Sequence, residues 1–255
     1  MEVCVLASGS KGNVCYVKTK KHNILIDAGK NKKYIEEKLK YIEVLPNDID
    51  LILISHLHKD HISALETFIK KYPAKVCVTK KMYTELGNLK DYENLYLYED
   101  SIDLGDIEIK AIKSSHDSID SRNFIIEEDD KSVVYITDTG YIRHKYFNQL
   151  LNKNLYLFES NHDIEMLMNG PYPEWTKKRI LSDEGHLSNQ SAGFYLSKLI
   201  GNETKKVILM HLSDTNNKES IALATVGDIL KEYNVEFNNI QCAKADEIGE
   251  YVILW

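Results

Sequence analysis

Short apolar runs separated by polar turns recur along the chain, alternating between the period of a strand and that of a helix. Val3 to Ala7 and Val14 to Thr19 read as strands joined by a glycine-rich turn, Ser8-Gly9-Ser10-Lys11-Gly12-Asn13. Asn23 to Ile26 is a third apolar run, ending at Asp27-Ala28-Gly29. Lys32 to Ile42 has helical spacing (Tyr34, Ile35, Leu39, Ile42) and is stopped by Pro46-Asn47. Leu51 to Ser55 is again strand-like. Ile62 to Tyr72 predicts a helix with Leu65, Phe68 and Ile69 inward, followed by a strand at Lys75 to Val78 and a helix near Met82 to Leu86. The middle is strand-rich: Ile107 to Ile112, Asn123 to Glu127 and Ser132 to Thr137, the last two joined by a hairpin turn at Asp129-Asp130-Lys131. Leu155 to Phe158 and Lys206 to Met210 are further strands, each preceded by a helical pattern. Ser188 begins a helix that Gly201 ends, Glu219 to Tyr233 forms another, and Tyr251 to Leu254 is a final strand.

No low-complexity segment or linker interrupts this order, which predicts a single α/β domain over residues 1–255. Periodicity gives the class and leaves the topology open. A hydrophobic content of 43% and a charged content of 28% are those of an ordinary globule with room for a large core. No apolar stretch reaches the length of a membrane span, and Met1 to Ala7 lacks the features of a signal peptide, so a cytoplasmic location is expected, with no membrane partner. Cys4, Cys15, Cys77 and Cys242 form no Cys-x-x-Cys pair and lie in strand-like runs, which favours buried, reduced thiols over disulfides or ligands. The net charge of −7 means that a phosphate-bearing substrate would need local cations or a basic patch to be held.

Chemistry concentrates in one segment. His56-Leu57-His58-Lys59-Asp60-His61 follows directly on an apolar run and holds three of the chain's nine histidines. Nitrogen and oxygen donors at that density suit zinc or manganese, and alternate spacing lets neighbours face two ions. Three further donors obey the same rule of apolar run, then donor, then small or polar loop: His116, Asp138 and His211. Each alone reads as a strand-end cap. Together with the histidine-rich segment they read as ligands of one cleft. Asp27, at the end of a strand, is either a turn cap or a hydrogen-bonding support for the histidine-rich segment.

This set of residues resembles that of the metallo-β-lactamase-fold hydrolases, over essentially the whole chain. The resemblance implies a four-layered αββα sandwich, with two mixed sheets packed face to face and helices outside. It further implies two divalent cations (Zn²⁺ or Mn²⁺, with Fe²⁺ also accepted by these donors). His56, His58 and His116 would hold one, Asp60, His61 and His211 the other, and Asp138 would bridge them. Finer blocks are similar to the YycJ/WalJ group: Leu6-Ala7-Ser8-Gly9-Ser10-Lys11-Gly12-Asn13, Ser115-His116-Asp117, Glu159-Ser160-Asn161-His162-Asp163 and Ser182-x-x-Gly185-His186-Leu187-Ser188-Asn189. What that group implies is a cytoplasmic DNA exonuclease acting 5′ to 3′, with a metal-bridging hydroxide attacking phosphorus in line. The interval from Asp138 to His211 is filled by ordinary helices and a strand, leaving no room for a β-CASP-type insert.

Asp60, Asp138 and His186 are then the candidate catalytic residues, His186 either donating a proton to the leaving group, binding the phosphate or serving the structure. Substrate contacts are expected at Ser8 and Asn13 in the glycine-rich turn, at His162, at Ser188, and at the basic triplet Lys177-Lys178-Arg179. The turn is not a Walker A loop, since Lys11 precedes Gly12 and Asn13 follows it. Tyr172 and Trp175 beside the triplet suit either base stacking or core packing. Two other readings keep the fold: a hydrolase of a small phosphodiester, cyclic nucleotide or thioester, and a non-catalytic metal-stabilised protein that binds nucleic acid or regulates a partner.

Overall fold

The computed structural model describes residues 1–254. The chain opens with β1 (Glu2–Ala7), β2 (Val14–Lys18) and β3 (Asn23–Ile26), paired antiparallel in that order. Helix α1 (Lys32–Tyr41) begins a run of crossovers through β4 (Leu51–Leu53), α2 (Lys59–Ile62), α3 (Leu65–Ile69), β5 (Lys75–Thr79), α4 (Lys80–Tyr83) and β6 (Leu95–Tyr98). Here β4, β5 and β6 extend the sheet from β3 in parallel. The plan then repeats. β7 (Ser101–Asp103) pairs antiparallel with β8 (Glu108–Lys113), and β9 (Arg122–Glu128) with β10 (Lys131–Ile136). After α5 (Phe147–Leu150) comes β11 (Leu155–Glu159). Three helices follow, α6 (Ile164–Asn169), α7 (Glu174–Ile180) and α8 (Asn189–Leu199), before β12 (Lys206–Met210), α9 (Glu219–Glu232) and β13 (Ile240–Cys242). β11, β12 and β13 add to β10 in parallel, and β14 (Tyr251–Ile253) returns to pair with β1.

Among the described residues the result is two seven-stranded mixed sheets, in the orders β14-β1-β2-β3-β4-β5-β6 and β13-β12-β11-β10-β9-β8-β7. The chain forms two compact units, one from residues 1–111, 118–122 and the stretch from Lys244 onward, the other from 112–117 and 123–243. Each has its own core. In the first, Leu6, Tyr16, Leu25 and Ile52 of the strands pack with Ile35 and Leu39 of α1 and Phe68 of α3. In the second, Val134, Tyr156, Phe158 and Leu209 pack with Leu196 of α8 and Val226 of α9. The intervening strand residues (Val5, Ile24, Val133, Leu157, Ile208) are equally buried. Strands covered on both faces lose the polar alternation of a half-exposed sheet, which is why they read as unbroken apolar runs.

The helix expected from Ile62 to Tyr72 is displaced and broken, starting at Lys59 inside the histidine-rich segment and stopping at Ile62. The cause is diverted hydrogen bonding. The carbonyl of Asp60 accepts from the amide of Asn13 (2.8 Å) and the amide of Ala64 donates to the carbonyl of Ala28 (2.9 Å), so the helical bond between the two is not made. Strands β6, β7 and β13 carried no sequence expectation. They are three or four residues long and lie at or next to sheet edges, too short for a period to register.

Candidate metal centre

In both units the candidate donors stand where parallel strands end. β3 and β4 pair in parallel with Ile26 beside Leu53, so Asp27 and the segment from Ser55 emerge at the same sheet edge. Asp27 is fully buried and gathers that segment around its carboxylate. It accepts from the Ser55 amide (2.8 Å), the Ser55 hydroxyl (2.7 Å) and Nδ1 of His61 (2.7 Å). The Ser55 hydroxyl, its proton spent on Asp27, sits 3.1 Å from Nδ1 of His56. The rings of His58 and His61 lie 4.7 and 4.0 Å from that of His56, and Oδ2 of Asp60 lies 3.6 Å from Nε2 of His61. Gly29 permits this arrangement, because a Cβ there would stand 1.6 Å from the Asp60 carbonyl oxygen.

The second unit presents Asp138, Glu159 and His211 at the ends of the neighbouring parallel strands β10, β11 and β12. Asp138, Glu159, His186 and His211 each offer a ligand atom, and these atoms all lie within 4.8 Å of one another. Nε2 of His116 is 3.7 Å from Oδ1 of Asp138, while its Nδ1 lies 3.1 Å from the carbonyl of Glu184. His116 stays neutral more readily than usual, because burial lowers its pKa against the opposing pull of Asp138.

These donors fit a divalent cation. Four imidazoles have Nδ1 against an oxygen of their own unit: His56 on Ser55, His61 on Asp27, His116 on the Glu184 carbonyl and His211 on Glu159. With Nδ1 so engaged, Nε2 is the nitrogen each ring has left to offer a cation, as in many metal-binding histidines; that of His61 lies 3.0 Å from the Asn13 amide nitrogen. Asp27, Asp138 and His211 also share an uncommon backbone, with φ of 62°, 51° and 57°. Left-handed residues other than glycine cost on the order of 1–3 kcal/mol each and persist where surrounding structure holds them.

Glu159 was not singled out from the sequence. It is fully buried, its Oε1 lies 2.8 Å from Nδ1 of His186 and 3.1 Å from Nδ1 of His211, and its Oε2 accepts from the amides of Thr139 and Leu187. Burial alone would raise its pKa, but His186 and the hydrogen bonds from both rings bring it down to about 2. A charged glutamate thus aims two histidines. Its sequence signal was the rule already applied to Asp138 and His211, a donor closing an apolar strand. Beneath it, buried asparagines tie three loops. Asn217 donates to the carbonyls of Ser160 and Asn161, Asn189 donates to Asn217, and the Asn161 amide donates to the carbonyl of His211 (2.9 Å).

The residues expected to meet substrate are placed variously. Asn13 is buried and exchanges hydrogen bonds with Gly9, and its amide nitrogen lies 3.0 Å from Nε2 of His61. Ser8 is buried next to that turn. Ser188 caps α8 by accepting from the amide of Ser191 (3.0 Å). His162 is 1% exposed, its ring nitrogens find no hydrogen-bond partner among the described residues, and burial takes its pKa down to about 4. Lys177 is buried, donating to the carbonyl of Met168 (2.7 Å), whereas Lys178 and Arg179 reach the surface. All four cysteines are free thiols; those at Cys4, Cys77 and Cys242 are pushed up to about 12 by burial. Among the described residues no helix is long and apolar enough to cross a membrane.

Comparison with known proteins shows the family. Residues 22–212 match the beta-lactamase superfamily domain. The chain is 37% identical over 233 residues to exodeoxyribonuclease YycJ of Bacillus anthracis, covering 89% of this chain and 88% of that protein. It is 38% identical over 229 residues to exodeoxyribonuclease WalJ of Streptococcus pneumoniae, covering 87% and 85%. In structure it resembles the metallo-beta-lactamase fold protein YhfI of Bacillus subtilis (TM-score 0.69, 15% identity, 98% and 99% coverage). The short form of human tRNase Z is similar as well (TM-score 0.67, 15% identity, 99% and 100% coverage). At such identities these likenesses speak for the fold alone.

Proposed function

Since the chain belongs to the beta-lactamase superfamily and, within it, to the YycJ/WalJ group, we propose that this metal-dependent hydrolase is a DNA exonuclease acting 5′ to 3′ in the cytoplasm. The proposed ligands are His56, His58 and His116 for one divalent cation, Asp60, His61 and His211 for a second, and Asp138 for both. Bound there, zinc or manganese would supply Lewis acidity and lower the pKa of a water, the chemistry that phosphodiester hydrolysis needs.

The protein's own contribution rests on one observation, the Nδ1 oxygen contacts that fix four of the imidazoles. Asp27 and Glu159 hold their rings in one tautomer, so donors are in place before a cation arrives. His186, braced on Glu159 at 2.8 Å and partly open to solvent, is the group placed to protonate the departing alkoxide.

Purified protein supplied with Mn²⁺ is expected to shorten 5′-labelled duplex DNA from the labelled end, and His58→Ala or Asp138→Ala to abolish this. Activity that survives in both variants would end the assignment. Loss of label only after internal cleavage would refute the exonuclease reading while leaving the hydrolase.

A further inference from the structure

We propose that Trp175 is a base-stacking platform which, with Lys178 and Arg179 on the same helix, grips a single-stranded nucleotide next to the phosphodiester being cut; this rests on the exonuclease reading above. Trp175 is 71% exposed, which leaves the face of a large amphipathic ring open to a partner. Trp175, Lys178 and Arg179 occupy positions i, i+3 and i+4 of α7 and so share one face of it. Lys177 and Ile180, the buried residues of that helix, hold the other face down.

The platform's helix is held at two points, only the second of which leads to the candidate centre. At mid-helix, Lys177 binds the carbonyl of Met168, which fastens α7 to the end of α6. At its end, the carbonyl of Ile180 accepts from the amide of His186 (3.0 Å), and Gly185 allows that approach, since a Cβ there would stand 2.1 Å from the same oxygen. The guanidinium of Arg179 donates to Asp117 (2.5 Å), the neighbour of His116. Trp175 therefore stands about 6 Å along the helix axis, four residues at ~1.5 Å each, from an arginine tied beside a candidate ligand.

Charge selects the occupant. Glu174, next to the indole in sequence, is paired with Lys177 (3.3 Å), and the half-exposed Arg179 shares its charge with Asp117, so Lys178 supplies the main positive charge on the face of Trp175. An aromatic face flanked by cations fits a base with its phosphates, and it favours a single strand because duplex bases are already stacked.

The sequence has two tryptophans, so a Trp255→Phe background leaves Trp175 as the sole indole. Zinc-loaded protein in that background is titrated with a phosphorothioate oligonucleotide that resists hydrolysis, and indole emission is recorded. Saturable quenching is expected. Trp175→Ala should raise KM for a substrate with a single-stranded end on the order of tenfold with kcat within about twofold. Trp175→Phe should restore most of the loss, and melting temperatures should be unchanged. Unchanged emission, or an unchanged KM in the alanine variant, overturns the proposal even where DNA is cut normally. Quenching by anionic lipid vesicles but not by oligonucleotide overturns it too. Quenching by oligonucleotide in a protein that cuts no DNA upholds the platform and refutes the exonuclease reading instead.

Discussion

Asp27 and Glu159 do for their units what no ligand can do for itself, fixing which nitrogen of each imidazole carries the proton. Asp27→Asn, which suits the same left-handed backbone, should weaken zinc affinity roughly 10–100-fold, measured by chelator competition, with the fold retained. An unaltered affinity would show that Ser55 and the helix α2 suffice to aim the rings. His162 gives a second test. Its folded pKa, about 4, lies below the ordinary 6.5 because burial disfavours the imidazolium. Between those values the unfolded chain binds a proton that the folded chain does not, so stability falls as pH drops through the window. His116 acts in the same direction. In metal-free protein, urea unfolding at pH 7 and pH 4.5 should show His162→Gln losing about 2 kcal/mol less than the parent. Equal losses would remove His162 from the account.

At the scale of elements, what the sequence made legible follows from local rules. Strands β10, β11 and β12 were visible as apolar runs because both their faces are buried, and the start of α8 because Ser188 caps it. Donors closing strands could be read the same way, which is how Asp138 and His211 were found. Glu159 obeyed that rule and was passed over, since nothing local distinguishes a buried charged glutamate from a helix-starting one. The break between α2 and α3 was not legible, because it is made by the amide of Asn13 and the carbonyl of Ala28, both distant in sequence. Glycines show the same division. Gly29→Ala should cost about 3 kcal/mol, since backbone must yield to the new methyl. Gly227→Ala, within α9 and with open space around it, should instead gain up to about 1 kcal/mol. Denaturant midpoints of the two variants should move in opposite directions.

For the whole molecule, the sequence indicated the α/β class and left the topology open, and both sheets follow the same plan of antiparallel strands continued by parallel ones. Which strands would lie at the edges was not available from periodicity. The dense histidines and carboxylates of the candidate ligand set also bear on stability. A cation present at a hundred times its dissociation constant stabilises by about 2.7 kcal/mol if it binds only the folded chain. Chelation should therefore lower the melting temperature by several degrees and abolish hydrolysis, and added Zn²⁺ or Mn²⁺ should restore both. A melting curve indifferent to chelator would argue that the donors hold no metal.

The positive φ angles of Asp27, Asp138 and His211 govern how their roles can be probed. Alanine at such a position removes a functional group and also the polar side chain that makes a left-handed conformation tolerable, so a dead variant reports two injuries at once. Asparagine and glycine tolerate that geometry. Exchanging Asp138 for asparagine, with glycine as the companion control, separates lost chemistry from a bent backbone.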